Sequence, residues 1–340
     1  MKLCKKCVLP DTFPGISFNE EGICRFCQSE APVDSRRKKR QNLLENMESV
    51  FNQVRRKKEG EYDAIVAFSG GKDSTLTLLK LSRDYGLRCL AVTVNNGFIP
   101  EETLQNCHVV TDALGVDFVW YTPAFPFVKN MFVKSIQGKP TSPAAIKRGS
   151  QVCASCINLI NNHMIKLALQ TDTPIVAGGY VGGQVPAGSA VLEINPARQE
   201  QIREATLSHY QSNFGSEARK YFGLSKELLE KTKDRNIYLV NPMLTFQVPE
   251  SEVIQEIKKI GWVAPQNTGL NSTNCMLNDL GVKTHFDRYG FHPYAEELSD
   301  LVRKAIIPRQ EALKRVGQIP EYAQLQDQLK KLEVKETDLS

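Results

Sequence analysis

Residues 62–75, YDAIVAFSGGKDST, place two adjacent glycines between an apolar run and a segment with helical spacing. The apolar run predicts a buried strand, and the segment after the glycines predicts a helix. The first amides of a helix lack partners within it, and the helix dipole favours an anion at that end. Gly70 and Gly71 would let the backbone approach a phosphate closely. We therefore predict an anion-binding loop, called here the glycine loop (residues 69–75), at the carboxyl end of a strand.

The side chains of the glycine loop fit the same prediction. Ser69, Ser74 and Thr75 would add hydroxyl donors, and Lys72 would supply a positive charge. Asp73 would repel a phosphate that it faced directly, so we expect it to bind Mg²⁺ or to take part in the chemistry of the acceptor. The loop is neither GxxxxGK[ST] nor GxGxxG, which disfavours a Walker-type NTPase and a dinucleotide-binding fold.

Strand-like runs alternate with helical segments through the middle of the chain. The expected strands are residues 63–68, 88–94, 117–122, 174–179 and 237–243. This order predicts an α/β fold with a doubly wound parallel sheet that helices cover on both faces.

The first 32 residues contain two CxxC pairs, with sixteen residues between the pairs. A segment this short cannot bury enough apolar surface to fold alone, and a structural metal would supply what it lacks. We predict a tetrahedral Zn²⁺ site of four thiolates in this cysteine module (residues 1–32). Its ligands would be Cys4, Cys7, Cys24 and Cys27.

The predicted organisation has four parts. Residues 1–32 form the cysteine module, and residues 33–60 form a charged linker helix. Residues 61–265 form the α/β domain, which residues 183–236 interrupt as an irregular, partly helical insertion. Residues 266–340 contain the Cys275 loop and C-terminal helices.

Three further cysteines, Cys153, Cys156 and Cys275, are called here the thiol cluster. A doubly wound sheet would allow all three to reach the same edge of the crevice. Three thiolates without a fourth protein ligand suit a [4Fe–4S] cluster with one open iron, or zinc with an exchangeable ligand. Catalytic thiols, one carrying a persulfide that another resolves, are an alternative. A further alternative is that the three cysteines bind a structural zinc or are simply buried thiols.

The stretch SGGKDS in this setting resembles the PP-loop ATP pyrophosphatases, a superfamily of adenine nucleotide alpha hydrolase-like (HUP-like) fold. The resemblance covers roughly residues 62–180 and the loop around Cys275. It implies that the protein binds ATP, releases pyrophosphate and transfers AMP to a carbonyl-type oxygen, after which a sulfur or nitrogen nucleophile displaces the AMP. It also implies which residues hold the nucleotide. The residues expected to hold pyrophosphate are Ser69, Gly70, Gly71, Lys72, Asp73 and Ser74. The residues expected near the nucleoside are Val94 to Gly97, including Asn95 and Gly97. Gly178 and Gly179 are expected to flank the adenylate.

PP-loop enzymes that thiolate tRNA bases include a group with the same arrangement of PP-loop, central CxxC and distant cysteine. The resemblance implies that Cys153, Cys156 and Cys275 bind a [4Fe–4S] cluster whose open iron carries sulfur, which a donor protein or sulfide would supply. Lys72 and Asp73 would act in catalysis beside them. The acceptor would be a nucleobase-like small molecule or a tRNA base. The GHxxDD-type stretch of many tRNA-modifying relatives is replaced by GGYVGGQVP, which favours the small molecule.

The opening CKKCVLPDTFPGISFNEEGICRFC and the tail LVRKAIIPRQEALKRV are similar to N-acetyl sugar amidotransferases. These PP-loop proteins take ammonia from a partner glutaminase, so this alternative requires a separate chain. A nucleotide-binding protein without turnover is an alternative of another class. We favour sulfur transfer, because three candidate ligands remain once the zinc site is assigned.

Composition limits the setting of the protein. No apolar stretch approaches the roughly 20 residues that span a bilayer, and no signal peptide is recognisable at the N-terminus. The net charge of +5 permits an anionic ligand without requiring nucleic acid. We expect a cytoplasmic homodimer that makes no membrane contact.

Overall fold

One six-stranded sheet organises the fold. The computed structural model describes residues 1–57, 60–138, 143–186, 188–266, 268–269, 271–272 and 274–339. The strands are β1 (Ala64–Ala67), β2 (Cys89–Val94), β3 (Asp117–Tyr121), β4 (Ile175–Gly178), β5 (Val191–Ile194) and β6 (Ile237–Val240). Their order is β3-β2-β1-β4-β6-β5, and β5 alone among these six pairs antiparallel. The predicted α/β fold with a largely parallel sheet is confirmed.

Helices connect and cover the strands. The α-helices are α1 (Arg25–Gln28), α2 (Val33–Lys57), α3 (Lys72–Leu79), α4 (Glu101–Leu114), α5 (Phe125–Ile136), α6 (Pro143–Ile146), α7 (Gln151–Gln170), α8 (Glu200–Phe214), α9 (Ala218–Phe222), α10 (Lys226–Lys231), α11 (Met243–Phe246), α12 (Glu250–Lys258), α13 (Asn278–Tyr289), α14 (Ala295–Arg303), α15 (Arg309–Val316) and α16 (Gln326–Leu332). The chain also forms a π-helical turn at Lys80–Asp84 and 3₁₀ turns at Tyr322–Leu325 and Glu336–Asp338. Within the described residues, no helix combines the length and the apolar character needed to cross a bilayer.

The sheet is buried on both faces because its side chains alternate. Val66 belongs to a core that includes residues of α2, α3 and α12, such as Leu76. Ile65 points to the opposite face, where it joins a second core with Met164 of α7. Both sides of each central strand therefore lose contact with water, which explains why these strands are continuous apolar runs.

Two elements differ from the expectation. Strand β5 lies within the expected irregular insertion and pairs with β6 at the sheet edge, where Leu192 remains 51% exposed. The helix expected to end at Gly86 stops being α-helical at Leu79 and continues as the π-helical turn. The hydroxyl of Ser82 donates to the carbonyl of Leu78 at 2.8 Å, which is the kind of local bond that disturbs a regular helix.

The cysteine module packs against the C-terminal helices. Arg309 of α15 donates from Nε to the carbonyl of Cys7 at 2.9 Å and from Nη2 to the carbonyl of Cys4 at 2.8 Å. Phe13 packs edge-on against Phe291, with 5.2 Å between the ring centroids. The two ends of the chain are therefore folded into one unit.

Two buried histidines near this contact make stability sensitive to acid. Burial lowers the pKa of His285 to about 3 and that of His292 to about 4, from an ordinary value of 6.5. Between pH 6.5 and these values the unfolded chain binds more protons, so stability falls as the pH falls, by about 1.4 kcal/mol per pH unit for each ring. We expect urea titrations from pH 7 to pH 4 to show this loss, and His285→Phe to reduce the slope by one such contribution. Equal slopes for the two proteins would contradict the assignment.

Candidate active site

A cavity of about 420 Å³ opens where the strand order reverses between β1 and β4. In parallel sheets this position is the usual ligand site, since the loops after the two strands separate there. The cavity is lined by residues from both predicted groups, the glycine loop and the thiol cluster. From these groups and the turn after β4, the lining residues are Ser69, Gly71, Lys72, Asp73, Ser74, Cys153, Cys156, Cys275 and Gly179.

Internal hydrogen bonds fix the shape of the glycine loop. Ser74 Oγ accepts from the amide of Ser69 at 3.2 Å and donates to the carbonyl of Gly71 at 3.0 Å. Thr75 Oγ1 donates to the same carbonyl at 2.9 Å and is fully buried, so Thr75 supports the loop from behind. A Cβ on Gly179 would lie 2.7 Å from the amide nitrogen of Ser74, so only glycine fits at that contact.

The charges around Lys72 are partly neutralised by acidic groups. Lys72 Nζ lies 2.8 Å from Asp73 Oδ2. Burial opposes the charge on Lys72, but Asp73, Glu250 and Glu297 outweigh it and raise its pKa to about 12. Burial raises the pKa of Glu297 to about 7, although Lys72 and a hydrogen bond from Gln184 act against this rise. Lys72 is thus a fixed cation within a set of carboxylates.

Several predicted nucleotide residues lie beside the cavity rather than in its wall. Asn95 Oδ1 accepts from the amide of Gly97 at 2.9 Å, so this pair forms the turn after β2. The neighbouring residue Asn96 lines the cavity. Gly178 is the last residue of β4 and pairs with Ala67 of β1, and Gly70 lies beneath the loop against α4.

The thiol cluster lines the same cavity as the glycine loop. Cys153 and Cys156 lie in the first turns of α7, and Cys275 comes from the loop before α13. Asn96 Nδ2 lies 3.4 Å from the sulfur of Cys156 and 3.6 Å from that of Cys275. Two segments far apart in sequence therefore bring their sulfurs to one amide group.

A second amide donates to the remaining thiol. Asn278 Nδ2 lies 3.6 Å from the sulfur of Cys153 and 2.6 Å from the hydroxyl of Tyr294. Burial raises the pKa of Cys156 to about 12 and that of Cys275 to about 11. Without a bound cation these thiols would stay protonated at neutral pH, and metal binding would have to displace the protons.

The cysteine module fits a single tetrahedral metal ion. Its sulfurs lie 4.0 Å apart for Cys4 and Cys27 and 3.7 Å apart for Cys7 and Cys24. Thiolates at 2.3 Å from Zn²⁺ stand about 3.8 Å apart in a tetrahedron. Backbone amides of Lys6 and Cys24 donate to the Cys4 sulfur, as expected of a ligand that needs orientation.

The thiol cluster is more open. Among the described residues, the cysteine module is the one group of His, Cys, Asp or Glu whose ligand atoms all lie within 4.8 Å of one another. At least one pair of sulfurs in the thiol cluster is therefore wider than this. Three half-buried cysteines that line one cavity would suit a [4Fe–4S] cluster with one open iron.

We expect the protein to contain about one zinc per chain, and Cys24→Ser to lose that zinc and at least about 3 kcal/mol of unfolding free energy. A module this small is expected to fold only around its bound metal, so the loss of one thiolate ligand should weaken both metal binding and folding. Metal analysis and urea unfolding check the result. Cys153→Ser is the matched control and keeps the zinc. Full zinc content in Cys24→Ser would refute the four-thiolate site.

Asn96 lies within the range Val94 to Gly97 that was expected near the nucleoside, and the turn after β2 decides which of its two asparagines faces the cavity. Two further cavity residues were not predicted. Asn278 follows Cys275 closely and was also within reach of sequence reasoning. No sequence signal pointed to Tyr294, because it lies at the start of α14 and only the tertiary fold brings it to the cavity.

Fold and cavity together define a doubly wound α/β protein in which a glycine loop and a cluster of thiols line one cavity. No protein-family model matches the chain. A protein of Methanocaldococcus jannaschii that is described as uncharacterized is 23% identical over 303 residues, which cover 88% of this chain and 87% of that protein.

Solved structures with partial similarity include two enzymes. One is the U34-tRNA thiolase NcsA of Methanococcus maripaludis with its [4Fe–4S] cluster, at 13% identity and a TM-score of 0.37, covering 94% of this chain and 90% of that one. Another is the NH3-dependent NAD synthetase of Campylobacter jejuni, at 13% identity and a TM-score of 0.31, covering 58% of this chain and 92% of that one. Similarities this low carry no argument about activity, so the function must be inferred from the cavity itself.

Proposed function

We propose that the protein is an ATP-dependent adenylating enzyme of the PP-loop type that replaces a carbonyl-type oxygen with sulfur. One observation carries this proposal: a single cavity joins the glycine loop to three cysteine sulfurs. An enzyme that first activates an oxygen and then delivers sulfur needs both groups within reach of one acceptor.

The glycine loop would hold the polyphosphate of ATP. Lys72 would neutralise charge as pyrophosphate forms, and Asp73 would exchange its contact with Lys72 for Mg²⁺. The acceptor oxygen attacks the α-phosphorus, the bond to the bridging oxygen breaks, and pyrophosphate leaves. A sulfur nucleophile then attacks the activated carbon, and AMP departs with the original oxygen. The inert carbonyl oxygen thus becomes part of a good leaving group.

Cys153, Cys156 and Cys275 would hold the sulfur-delivering group. A [4Fe–4S] cluster bound there would supply an open iron site for sulfide. The chain's own contribution is orientation, since Asn96 and Asn278 place amide groups on all three sulfurs. The cluster remains a proposal that iron and sulfide analysis of anaerobically purified protein can test.

The cavity wall around the thiols favours an uncharged acceptor. Beyond the glycine loop, Arg148 is the one side chain with a full charge among the described lining residues. The other polar groups are amides and hydroxyls, including Asn96, Asn158, Asn271 and Ser272. A nucleobase presents amide-type edges that match such groups, whether it is a free molecule or a base extruded from tRNA.

An amidotransferase remains the second candidate, because the opening and the tail of the chain resemble N-acetyl sugar amidotransferases. The two stretches that resemble N-acetyl sugar amidotransferases meet in space, where Arg309 binds the carbonyls of Cys4 and Cys7. That contact is a feature of stability, however, and does not require the thiol cluster. An ammonia-using enzyme would leave the three sulfurs of the cavity without a role.

The decisive experiment supplies ATP and candidate acceptors with either sulfide or ammonia. Mass spectrometry then identifies the product, and a coupled assay measures pyrophosphate. A gain of sulfur in place of oxygen supports the proposal, and a gain of nitrogen supports the amidotransferase. ATP binding without any pyrophosphate release would leave a non-catalytic nucleotide-binding protein.

A further inference from the structure

A tryptophan from a distant part of the chain contacts the glycine loop from inside the protein. Trp262 follows α12 and is 2% exposed. Its indole Nε1 donates to the carbonyl oxygen of Gly70 at 2.9 Å. Trp262 was not among the predicted site residues, and it does not line the cavity.

The contact fixes the direction of one peptide group. In a trans peptide, the carbonyl of Gly70 and the N–H of Gly71 point in opposite directions. Trp262 binds the carbonyl on the buried side, and Gly71 lines the cavity on the other. The indole therefore turns the Gly71 N–H towards the place where a polyphosphate would bind.

Gly70 itself leaves little freedom in this arrangement. Its φ of +71° lies in the left-handed region, and a Cβ there would be 2.7 Å from the carbonyl oxygen of Thr103 in α4. The peptide is thus pressed against α4 and held by the indole. Such a peptide group could rotate only by breaking its buried hydrogen bond.

Trp262 is in turn held by its own neighbours. Asn106 of α4 donates to the carbonyl of Val263 at 2.7 Å and accepts from the amide of Val263 at 2.8 Å. The amide of Trp262 donates to the carbonyl of Ile257 at the end of α12, at 3.3 Å. The indole is anchored from two helices, which is the rigidity that a pre-organised binding group requires.

We propose that Trp262 is a positioning residue that aims the Gly71 amide at the β- and γ-phosphates of a nucleoside triphosphate. This inference rests on the proposed ATP-dependent function. It assigns to the indole a role in distinguishing ATP from AMP, because AMP lacks the two phosphates that the amide would meet. An indole that only filled space would affect both nucleotides alike.

The test replaces the N–H and keeps the shape. β-(Benzothiophen-3-yl)alanine at position 262 carries sulfur in place of the indole nitrogen, and Trp262→Phe removes the donor with a standard residue. We expect calorimetry to show ATP binding about ten-fold weaker in both, since a buried carbonyl loses its partner, and AMP binding within about two-fold of the original. Unchanged ATP affinity, or an equal loss for ATP and AMP, would overturn the inference.

Trp120→Phe is the matched control, because the chain has two tryptophans and Trp120 lies outside the cavity wall on edge strand β3. It should keep both affinities. The Trp120→Phe protein retains Trp262 as its one tryptophan, so its fluorescence reports on that indole without any change at position 262. ATP should shift the tryptophan emission and AMP should not. Identical responses to the two nucleotides would refute the role of Trp262. If the unmodified protein binds no ATP, the proposed function fails; if it binds ATP and the isostere does so equally well, only this inference fails.

Discussion

Lys72→Ala should lower the rate of pyrophosphate release about a thousand-fold or more. Lys72 is the cation that the glycine loop holds against Asp73, with Glu250 and Glu297 nearby. Without it the loop would present carboxylates to an incoming polyphosphate, so both ground-state binding and charge neutralisation in the transition state are lost. A coupled pyrophosphate assay with saturating Mg²⁺ and ATP measures the effect.

Lys80→Ala is the matched control for this prediction. Lys80 follows α3 directly and pairs with Asp84 at 2.9 Å and Glu256 at 3.2 Å, away from the cavity wall. Its loss removes the same charge from the protein and should leave the rate within about two-fold, because such ion pairs contribute little. A Lys72→Ala enzyme that keeps a tenth of the original activity would refute the role of the loop.

Cys275→Ser should stop product formation while pyrophosphate release continues. Cys275 contributes one of three sulfurs to the cavity, and its replacement leaves the glycine loop untouched. We expect a loss of more than about a hundred-fold in thiolated product, equivalent to about 2.7 kcal/mol. Iron per chain should fall with it, and the zinc of the cysteine module should remain.

Cys89→Ala provides the comparison for Cys275→Ser. Cys89 is a buried thiol at the start of β2 and does not line the cavity, so its loss costs packing alone. This variant should retain iron and product formation. If Cys275→Ser forms product at the original rate, sulfur does not pass through the thiol cluster, and this result would favour the amidotransferase.

Sequence reasoning located the parts of the fold that have strong local signals. The central strands are apolar on both faces, as Ile65 and Val66 illustrate, and the glycines after β1 mark the start of α3. Strand β5 escaped notice because it is short and lies at the sheet edge, where Leu192 and Glu193 face solvent. An edge strand buries too little to leave a clear apolar pattern.

The residues of the site likewise fall into those with a local sequence signal and those that depend on tertiary packing. Cysteine spacing is a local property and correctly grouped Cys4, Cys7, Cys24 and Cys27. The choice between Asn95 and Asn96 depends on one turn, which no periodicity encodes. Tyr294 and Trp262 reach the glycine loop or its cavity only through packing of distant helices, so no stretch of sequence near residue 70 predicts them.

Helix α14 serves two neighbours at once. Ala295 and Leu298 face the cysteine module, where Ser299 accepts from the amide of Val8 at 3.3 Å. Glu297, on the same helix, receives a hydrogen bond from Gln184 and influences the charge of Lys72. If the cysteine module binds a metal, loss of that metal would therefore disturb helix α14 and, through Glu297, the charge environment of Lys72.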